Sequence, residues 1–541
     1  MSVSDVLQKF LTDRIVSRIW QRDTTVFASP TAPADLHSSI TNRLGWLEAP
    51  EGSRRHAPHV LQLSRDLERD GMTDVYVLGM GGSSLCAEVL REVAGKTGGG
   101  RSLAVLDTTD ERAVHEVTAS LDPSRALFVV ASKSGSTIEV SSLERHFWSV
   151  MTAAVGQQAG AHFVAITDPD TSLVAHAAAR GYRHTFINPP DIGGRFSALS
   201  LFGLVPGALC GVELNTLIDS ATAMANQCRI DEADNPGLAL GVFMGVHALG
   251  GRDKLTTIIP RVLAPLGVWI EQLVAESTGK HERGVLPVVD EPLGEPSEYG
   301  QDRAFVAVLT PGAELERRTA DRLGAAGHPV LIIETNPGQL GAEFFRWEFA
   351  TAVAGAVLGV NPFDEPNVRS AKERTQSQLQ AYAATGALRM DPPLTGNSVV
   401  LERTVTPAQA SATEAGRYVA ILDYLPLDSG RGAAIAQIRG DLRRRTGHAT
   451  THGIGPRYLH STGQYHKGGP NTGIFVLLTA ADRTTTEIPE SGYSFSTLKQ
   501  AQALGDFDAL AAAGRTVMHF HVTDPEADFA AMLDELTSRV G

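Results

Sequence analysis

The chain contains few cysteines and lacks a surplus of positive charge. Only three of its 541 residues are cysteines, Cys86, Cys210 and Cys228, and no two form a C-x-x-C pair. This usage predicts neither a disulfide framework nor a zinc site and fits a reducing cytoplasm. The formal net charge of −14 argues against nucleic acid or an anionic membrane as a partner. A small anionic ligand stays possible, because a local cradle of donors acts at contact distance and overrides the distant field.

Long apolar runs are also missing. The longest run, near residues 349–360, is too short to span a bilayer and predicts a buried helix. The first twenty residues carry Asp5, Lys9, Asp13 and Arg14 among their apolar residues, which does not fit a signal peptide. With 43% hydrophobic and 20% charged residues, the composition is typical of a globular enzyme, which we expect to be cytoplasmic.

The hydrophobic pattern alternates between strands, turns and helices. It predicts strands at 75–78, 103–107, 126–131 and 163–167, and a second alternating run that opens at 254–260 and continues at 304–309 and 330–334. Further strands are predicted at 418–423 and 517–522. The alternation specifies α/β domains with parallel sheets covered by helices, with a second sheet domain starting near residue 220. Ligands of such sheets bind at the carboxyl ends of the strands.

The turn after the third strand has the composition of a phosphate site. Residues 131–139 read Ala-Ser-Lys-Ser-Gly-Ser-Thr-Ile-Glu, with four hydroxyls, a lysine and a glycine between a strand and a predicted helix. The first N–H groups of a helix lack intrahelical partners and the helix dipole is positive there. Hydroxyls and free N–H groups together suit the oxygens of a phosphate monoester. An ordinary N-cap needs only one hydroxyl, so the sequence favours phosphate binding.

A glycine-rich turn follows the first strand at 79–84. It resembles the G-x-G-x-x-G dinucleotide fingerprint, but Ser84 replaces the third glycine, and a lone match of this kind is weak. Both turns lie at strand carboxyl ends, so we expect them to face one pocket.

Two charged residues stand in unusual settings. Gly193 and Gly194 precede Arg195, which would let the backbone approach a ligand while a permanent cation is presented; pairing across a domain interface is the alternative. Glu276 lies in the last turn of a helix predicted to end at Gly279, where the dipole disfavours an anion. Such an acid is either solvated or held for a purpose, and the residues alone favour the solvated surface.

The segment 447–473 is rich in glycine and histidine. Its histidines, His448, His452, His460 and His466, match no familiar metal-ligand spacing, and no cysteine or aspartate lies among them, so no metal site is predicted. Lys499 stands near the start of another predicted helix, where the dipole opposes a cation and favours a lowered pKa.

Five segments, taken in this order, resemble the glucose-6-phosphate isomerase family. They are LGMGGSS, ASKSGST, GGRFSALSLFGL, EQLVAESTGK and the pair YLHSTGQYHKGG with SFSTLK, which extend from Leu78 to Lys499. The details are closest to the isomerase half of fused transaldolase–phosphoglucose isomerases, since residues 18–27, RIWQRDTTVF, are similar to the segment that precedes that half. The chain contains no transaldolase half, and we expect no transaldolase activity.

The resemblance implies two sugar-isomerase (SIS) αβα sandwich domains with parallel sheets, usually paired as a homodimer. On this basis we predict an N-terminal helical segment at 1–60, a first SIS domain with the phosphate loop at 61–215, and a second SIS domain with a C-terminal segment at 216–541. No metal or redox cofactor is implied.

The resemblance also assigns roles residue by residue. Glu276 aligns with the general base, Arg195 with the group that stabilises the enediolate, His460 with the ring-opening histidine and Lys499 with the lysine near the ring oxygen. The residues expected to hold the substrate are Ser132, Lys133, Ser134 and Thr137 at the phosphate, Gly82 and Ser83 at the sugar, and Gln272. The segment before Lys499 lacks the family's usual glutamine, which departs from the pattern.

The implied reaction moves a carbonyl between C1 and C2 of a hexose 6-phosphate. One carboxylate can remove and return the proton on one face of a cis-enediolate. Acceptance of mannose 6-phosphate requires only tolerance of the C2 epimer, and the sequence does not decide it. A non-catalytic sugar-phosphate binder is the other alternative, although the presence of Glu276, His460 and Lys499 argues against it.

Overall fold

The computed structural model describes residues 2–94, 100–396, 400–406, 416–426 and 429–540. The N-terminal part is helical and packs against the rest of the chain through apolar residues such as Val6, Ile19 and Trp46. Its helices are α1 (Val3–Thr12), α2 (Ile15–Trp20), α3 (Ala34–Thr41) and α4 (Ala49–Arg69).

The first sheet is parallel and has the order β2-β1-β3-β4-β5. Its strands are β1 (Asp74–Leu78), β2 (Ser102–Leu106), β3 (Ala126–Ala131), β4 (Phe163–Thr167) and β5 (His184–Ile187). The helices between them are α5 (Leu85–Val93), α6 (Glu111–Ser120), α7 (Ile138–Val155) and α8 (Ser172–Ala179). The central strand β3 is buried along its whole length, which explains its continuous apolar run. The predicted strands of this sheet are confirmed.

The second sheet is also parallel and has the order β7-β6-β8-β9. Three helices lead to it, α9 (Leu201–Leu209), α10 (Leu214–Gln227) and α11 (Pro236–Leu249). Its elements are β6 (Lys254–Ile258), α12 (Ala264–Thr278), β7 (Leu286–Val288), β8 (Arg303–Leu309), α13 (Glu314–Ala325), β9 (Val330–Glu334), α14 (Leu340–Leu358) and α15 (Val368–Thr385).

One hydrophobic core joins the first two sheets. It includes Leu127 of β3, Leu255 of β6 and Phe349 of α14, all of which are buried. The apolar run near 349–360 lies in and just after α14, so the prediction of a buried helix is confirmed. In the part of the chain that the structure describes, no helix has the length and apolar character needed to cross a membrane.

A third sheet, which sequence reasoning did not separate from the second, forms from the C-terminal part and has the order β10-β11-β15-β14-β12-β13. Its strands β12, β13, β14 and β15 are parallel, whereas β11 pairs antiparallel with β15 and with β10. Its elements are β10 (Thr395–Gly396), β11 (Val400–Val405), β12 (Tyr418–Asp423), α16 (Ser429–Thr446), β13 (Ala449–Ile454), α17 (Gly463–Gly468), β14 (Gly473–Ala480), α18 (Phe495–Ala512), β15 (Thr516–Val522) and α19 (Phe529–Val540). The strands β12 and β15 were predicted, but which strands share a sheet depends on long-range pairing that the local pattern does not carry.

Candidate active site

A polar cavity of about 530 Å³ opens where segments from all three sheets meet. Most residues with a predicted role line it: Gly82, Ser83, Lys133, Ser134, Thr137, Arg195, Gln272, Glu276 and His460. Ser132 and Lys499 are not among the described residues that line it. The two turns at the carboxyl ends of β1 and β3 share this cavity, as the sequence predicted.

The predicted phosphate turn joins β3 to α7. Gly135 has a φ of +67°, a conformation that favours glycine, and Thr137 immediately precedes the first residue of the helix. Ser134 and Thr137 line the cavity, whereas Ser132 is buried behind the turn, with its Oγ 3.1 Å from Thr137 Oγ1. Ser132 is therefore placed to fix the orientation of Thr137.

The lysine of this turn is already paired. Lys133 forms an ion pair with Asp168, which follows β4, and its Nζ donates a second hydrogen bond to the carbonyl of Pro190 at 3.3 Å. Burial raises the pKa of Asp168 above its usual value, and Lys133 opposes this shift. Asp168 thus largely compensates the positive charge that Lys133 brings to the cavity.

Close contact between two glycine turns places Arg195 in the cavity. A Cβ added to Gly82 would lie 1.9 Å from the carbonyl oxygen of Gly194, so a side chain at residue 82 does not fit. The contact between the two turns therefore depends on Gly82, whereas a Cβ at Gly194 would meet nothing within 4 Å.

Glu276 is buried in the last turn of α12 and faces Arg195. Its Oε1 lies 3.1 Å from Arg195 Nη1, and its Oε2 accepts a hydrogen bond from Gln272 Nε2 at 3.2 Å. Burial raises the pKa of Glu276, Arg195 lowers it, nearby Glu365 raises it, and the net pKa lies above the ordinary value. The interpretation of Glu276 as a solvated surface acid is wrong, and the position is that of a desolvated base.

Arg195 is held by several fixed acceptors. Its guanidinium donates to Glu365 Oε2 at 3.0 Å and to Ser277 Oγ at 2.8 Å, and to the carbonyls of Pro362 and Asp364 at 2.9 Å. Burial lowers its pKa, but Glu276 and Glu365 outweigh burial and raise it. Arg195 therefore lines the cavity and also pairs with residues of other elements. Pairing across a domain interface, the alternative interpretation, stays a prediction.

His460 belongs to a second acid–base pair that sequence reasoning missed. Its Nε2 lies 2.9 Å from Glu139 Oε1, and the same oxygen accepts a hydrogen bond from Gln502 Nε2 at 2.7 Å. Burial raises the pKa of Glu139, but His460 lowers it. The net pKa of Glu139 is below the ordinary value. The sequence contained one signal for this pair, because Glu139 lies in the first turn of the helix that follows the phosphate loop. The helix dipole favours an acid there and can hold it ionised.

One amide connects the two pairs. Gln272 Nε2 donates to the backbone carbonyl of His460 at 2.8 Å as well as to Glu276. The histidine segment from the third sheet is thus positioned by the same helix that carries the carboxylate.

Lys499 lies away from the cavity, in an ion-pair cluster. Its Nζ is 2.9 Å from Asp110 Oδ2 and 2.5 Å from Asp482 Oδ1, and its side chain is 2% exposed. Burial lowers its pKa, but the two carboxylates outweigh burial and raise it, so the prediction of a lowered pKa is wrong. The dipole argument failed because two nearby carboxylates act on the amine more strongly than a helix terminus.

Replacing Lys499 is expected to reduce stability. Lys499→Met leaves the buried Asp110 and Asp482 without their shared cation, a loss that costs about 3–5 kcal/mol in comparable sites. Urea unfolding of the variant measures the change. Adding Asp110→Asn should restore part of the loss, and an unchanged unfolding midpoint in Lys499→Met would contradict this account.

The remaining histidines of the C-terminal segment do not gather around a common point. His452 Nε2 lies 3.1 Å from Asp423 Oδ2, and His466 is fully buried with a pKa lowered by burial. Within the described ranges, no group of three or more histidine, cysteine, aspartate or glutamate side chains is placed to hold a metal ion.

Comparison with solved structures defines the class of fold. A hypothetical protein of Thermus thermophilus aligns with a TM-score of 0.60 at 23% identity and covers 70% of this chain and 97% of its own. A glucose-6-phosphate isomerase of Chlamydia trachomatis aligns with a TM-score of 0.56 at 18% identity and covers 70% and 86%. These likenesses show the fold alone, which is that of the phosphosugar isomerases, with αβα sandwich domains, as the sequence predicted.

Sequence comparison points to a particular family within that class. The family described as phosphoglucose isomerase matches residues 67–296. The glucose-6-phosphate isomerase of Rubrobacter xylanophilus is 28% identical over 404 residues, 65% of this chain and 92% of its own. That of Thermus thermophilus is 27% identical over 380 residues, 62% and 90%. The chain is thus similar to glucose-6-phosphate isomerases, and the family match covers less than half of its residues.

Proposed function

We propose that this chain is an aldose–ketose isomerase that interconverts glucose 6-phosphate and fructose 6-phosphate. The observation that carries the proposal is the pairing of the buried Glu276 with Arg195 at 3.1 Å, in a cavity that also contains the phosphate turn and His460. The similar proteins named glucose-6-phosphate isomerase support the same reaction.

The chemistry follows from the charges of these side chains. A desolvated carboxylate is a stronger base than a hydrated one, so Glu276 is suited to remove a proton from C2 or C1 and return it to the neighbouring carbon. Arg195 lies beside that carboxylate and would meet the negative charge that develops on the enediolate oxygens, an effect worth roughly 3–4 kcal/mol in comparable oxyanion sites. The phosphate turn supplies binding energy away from the reacting carbons and holds them against Glu276.

Ring opening requires a second acid–base group. The imidazole of His460 can exchange a proton with the ring oxygen, and Glu139 at 2.9 Å orients the imidazole. Glu276 thus transfers the proton on carbon, and His460 transfers the proton on oxygen.

A coupled assay of the purified chain with fructose 6-phosphate tests the proposal. Glucose 6-phosphate and mannose 6-phosphate are scored separately, because a dual phosphoglucose/phosphomannose isomerase would form both. Formation of neither product, with retained binding of a sugar phosphate, would instead indicate a non-catalytic binder. We expect glucose 6-phosphate as the product.

Weakening the phosphate turn is expected to impair binding more than turnover. In the double variant Ser134→Ala with Thr137→Ala, two hydroxyls that line the cavity are lost. Each hydrogen bond to a charged group contributes about 1.5–3 kcal/mol, so KM should rise by about 10²-fold or more while kcat changes little. Ser120→Ala, which removes an exposed hydroxyl at the end of α6, is the control. An unchanged KM would place the phosphate elsewhere.

We also propose that the chain forms a homodimer and lies in the cytoplasm. We further propose the predicted domain limits at 60 and 215 and a relationship to the isomerase half of fused transaldolase–phosphoglucose isomerases. The three cysteines are free and buried, which supports a reducing compartment. The similarity at residues 18–27 supports the relationship. Size-exclusion chromatography with light scattering tests the dimer.

A further inference from the structure

The acid–base pair of His460 and Glu139 meets a third side chain at a single carboxylate oxygen. Oε1 of Glu139 lies 2.9 Å from His460 Nε2, and the same oxygen accepts a hydrogen bond from Gln502 Nε2 at 2.7 Å. Because Nε2 of the imidazole contacts Glu139, Nδ1 is the ring nitrogen left to exchange a proton with a substrate. The position of Oε1 therefore decides how the imidazole is presented to the polar cavity.

A buried hydroxyl fixes the orientation of the Gln502 amide. Thr109, which lies between β2 and α6, donates a hydrogen bond from its Oγ1 to Gln502 Oε1 at 2.8 Å, so the amide nitrogen is the end that remains for Glu139. Thr109, Gln502 and Glu139 are all buried, and hydrogen bonds in such surroundings are electrostatically stronger than in water. A chain of hydrogen bonds thus runs from Thr109 through Gln502 and Glu139 to His460.

Gln502 acts on this pair from outside the substrate cavity. It lies one turn beyond Lys499 on α18, and it lines an adjoining cavity of about 200 Å³ together with Glu139 and His460. It is not among the described residues that line the polar cavity of about 530 Å³. Helix α18 therefore reaches the acid–base pair through Gln502, whereas Lys499 is held by its two carboxylates.

We propose that Gln502 is a positioning residue for ring opening, which holds Oε1 of Glu139 and thereby the imidazole of His460. Thr109 holds the amide of Gln502 in the orientation that donates to Glu139. The inference rests on the proposed function, because it deepens the ring-opening step. It adds a residue to which neither the sequence motifs nor the resemblance assigned a role.

Exchange between the α and β anomers of glucose 6-phosphate tests this step alone. The anomers interconvert by opening and closing of the ring, with no proton transfer at carbon, and NMR exchange spectroscopy measures the catalysed rate. Gln502→Met keeps the approximate length of the side chain and removes the donor. The loss of one hydrogen bond to a charged group should slow catalysed anomer exchange, and turnover of fructose 6-phosphate, by about 10–100-fold.

Two further measurements distinguish positioning from a general loss of structure. Titration calorimetry with sorbitol 6-phosphate, an open-chain hexitol phosphate that cannot isomerise, gives Kd without any need for turnover. Exchange of the C1 proton of an open-chain ketotetrose phosphate reports on proton transfer at carbon without ring opening. Both should change little in Gln502→Met, because Gln502 is not among the described residues that line the substrate cavity.

Gln500→Met is the matched control. Gln500 lies on the same helix, is half-buried, and is not among the described residues that line either cavity, so all of these measurements should stay at their wild-type values. Thr109 provides a second pair of variants. Thr109→Val keeps the shape of the side chain and removes the hydroxyl, which should slow anomer exchange, whereas Thr109→Ser keeps the hydroxyl and should recover most of the rate.

Wild-type anomer exchange in Gln502→Met, or an equal loss on the open-chain substrate, would overturn the inference and leave the isomerase proposal intact. If Gln502→Met does not fold, equal rates in Thr109→Val and Thr109→Ser would overturn the inference. Catalysed anomer exchange that depends on Gln502, without isomerisation of fructose 6-phosphate by the wild type, would support the inference and overturn the proposed function instead.

Discussion

Glu276→Gln is expected to lower kcat/KM for fructose 6-phosphate by about 10²–10⁴-fold, the usual loss when a positioned general base is removed. The amide keeps the size of the side chain and can still contact Arg195 and Gln272. The Kd for sorbitol 6-phosphate should therefore change little, and calorimetry on the same preparation measures it. Turnover close to that of wild type would contradict the role of Glu276.

The pH dependence of the wild type provides a check on the same residue. Glu276 must be ionised to accept a proton, and its pKa lies above the ordinary glutamate value because of burial. The rate kcat/KM should consequently fall as the pH decreases through that raised pKa, at a higher pH than an exposed glutamate would give. The residual rate of Glu276→Gln should lack this acid limb.

His460→Ala is expected to separate ring opening from proton transfer at carbon. Hexose phosphates are mainly closed rings, so the variant should lose about 10²–10⁴-fold in turnover of fructose 6-phosphate. An open-chain ketotetrose phosphate requires no ring opening, and exchange of its C1 proton with solvent, followed by NMR in D₂O, should remain close to that of wild type.

An exposed histidine gives the control for this experiment. His59 lies on the surface of α4, and His59→Ala should leave both measurements unchanged. Equal losses on the cyclic and open-chain substrates in His460→Ala would show that His460 acts on the carbon-bound proton or only supports its loop.

The parts of the site that could be predicted are local in sequence. The phosphate turn, the glycine turns and the helix end at Gly279 are each encoded in fewer than about fifteen consecutive residues, and composition and periodicity carry that information. Glu139 and His460 are separated by 321 positions, and no local pattern indicates that they meet. For the same reason the ion pairs of Lys499 and the separate third sheet emerged only from the structure.

The three-sheet origin of the site has a consequence for how activity is lost on heating. Glu139 lies in α7 beside the first sheet, and His460 lies in the part that forms the third. The half-buried pair of Arg457 with Asp107 and the buried pair of Lys499 with Asp110 join these parts. A hydrophobic cluster that includes Val130 of β3 and Phe495 and Leu498 of α18 also spans these parts. Sub-global opening at an interface between such parts can precede complete unfolding. Thermal inactivation would then be governed by undocking of the C-terminal part rather than by melting of any sheet. The temperature at which turnover ceases would report the strength of that contact, and protonation of its carboxylates in acid would lower it.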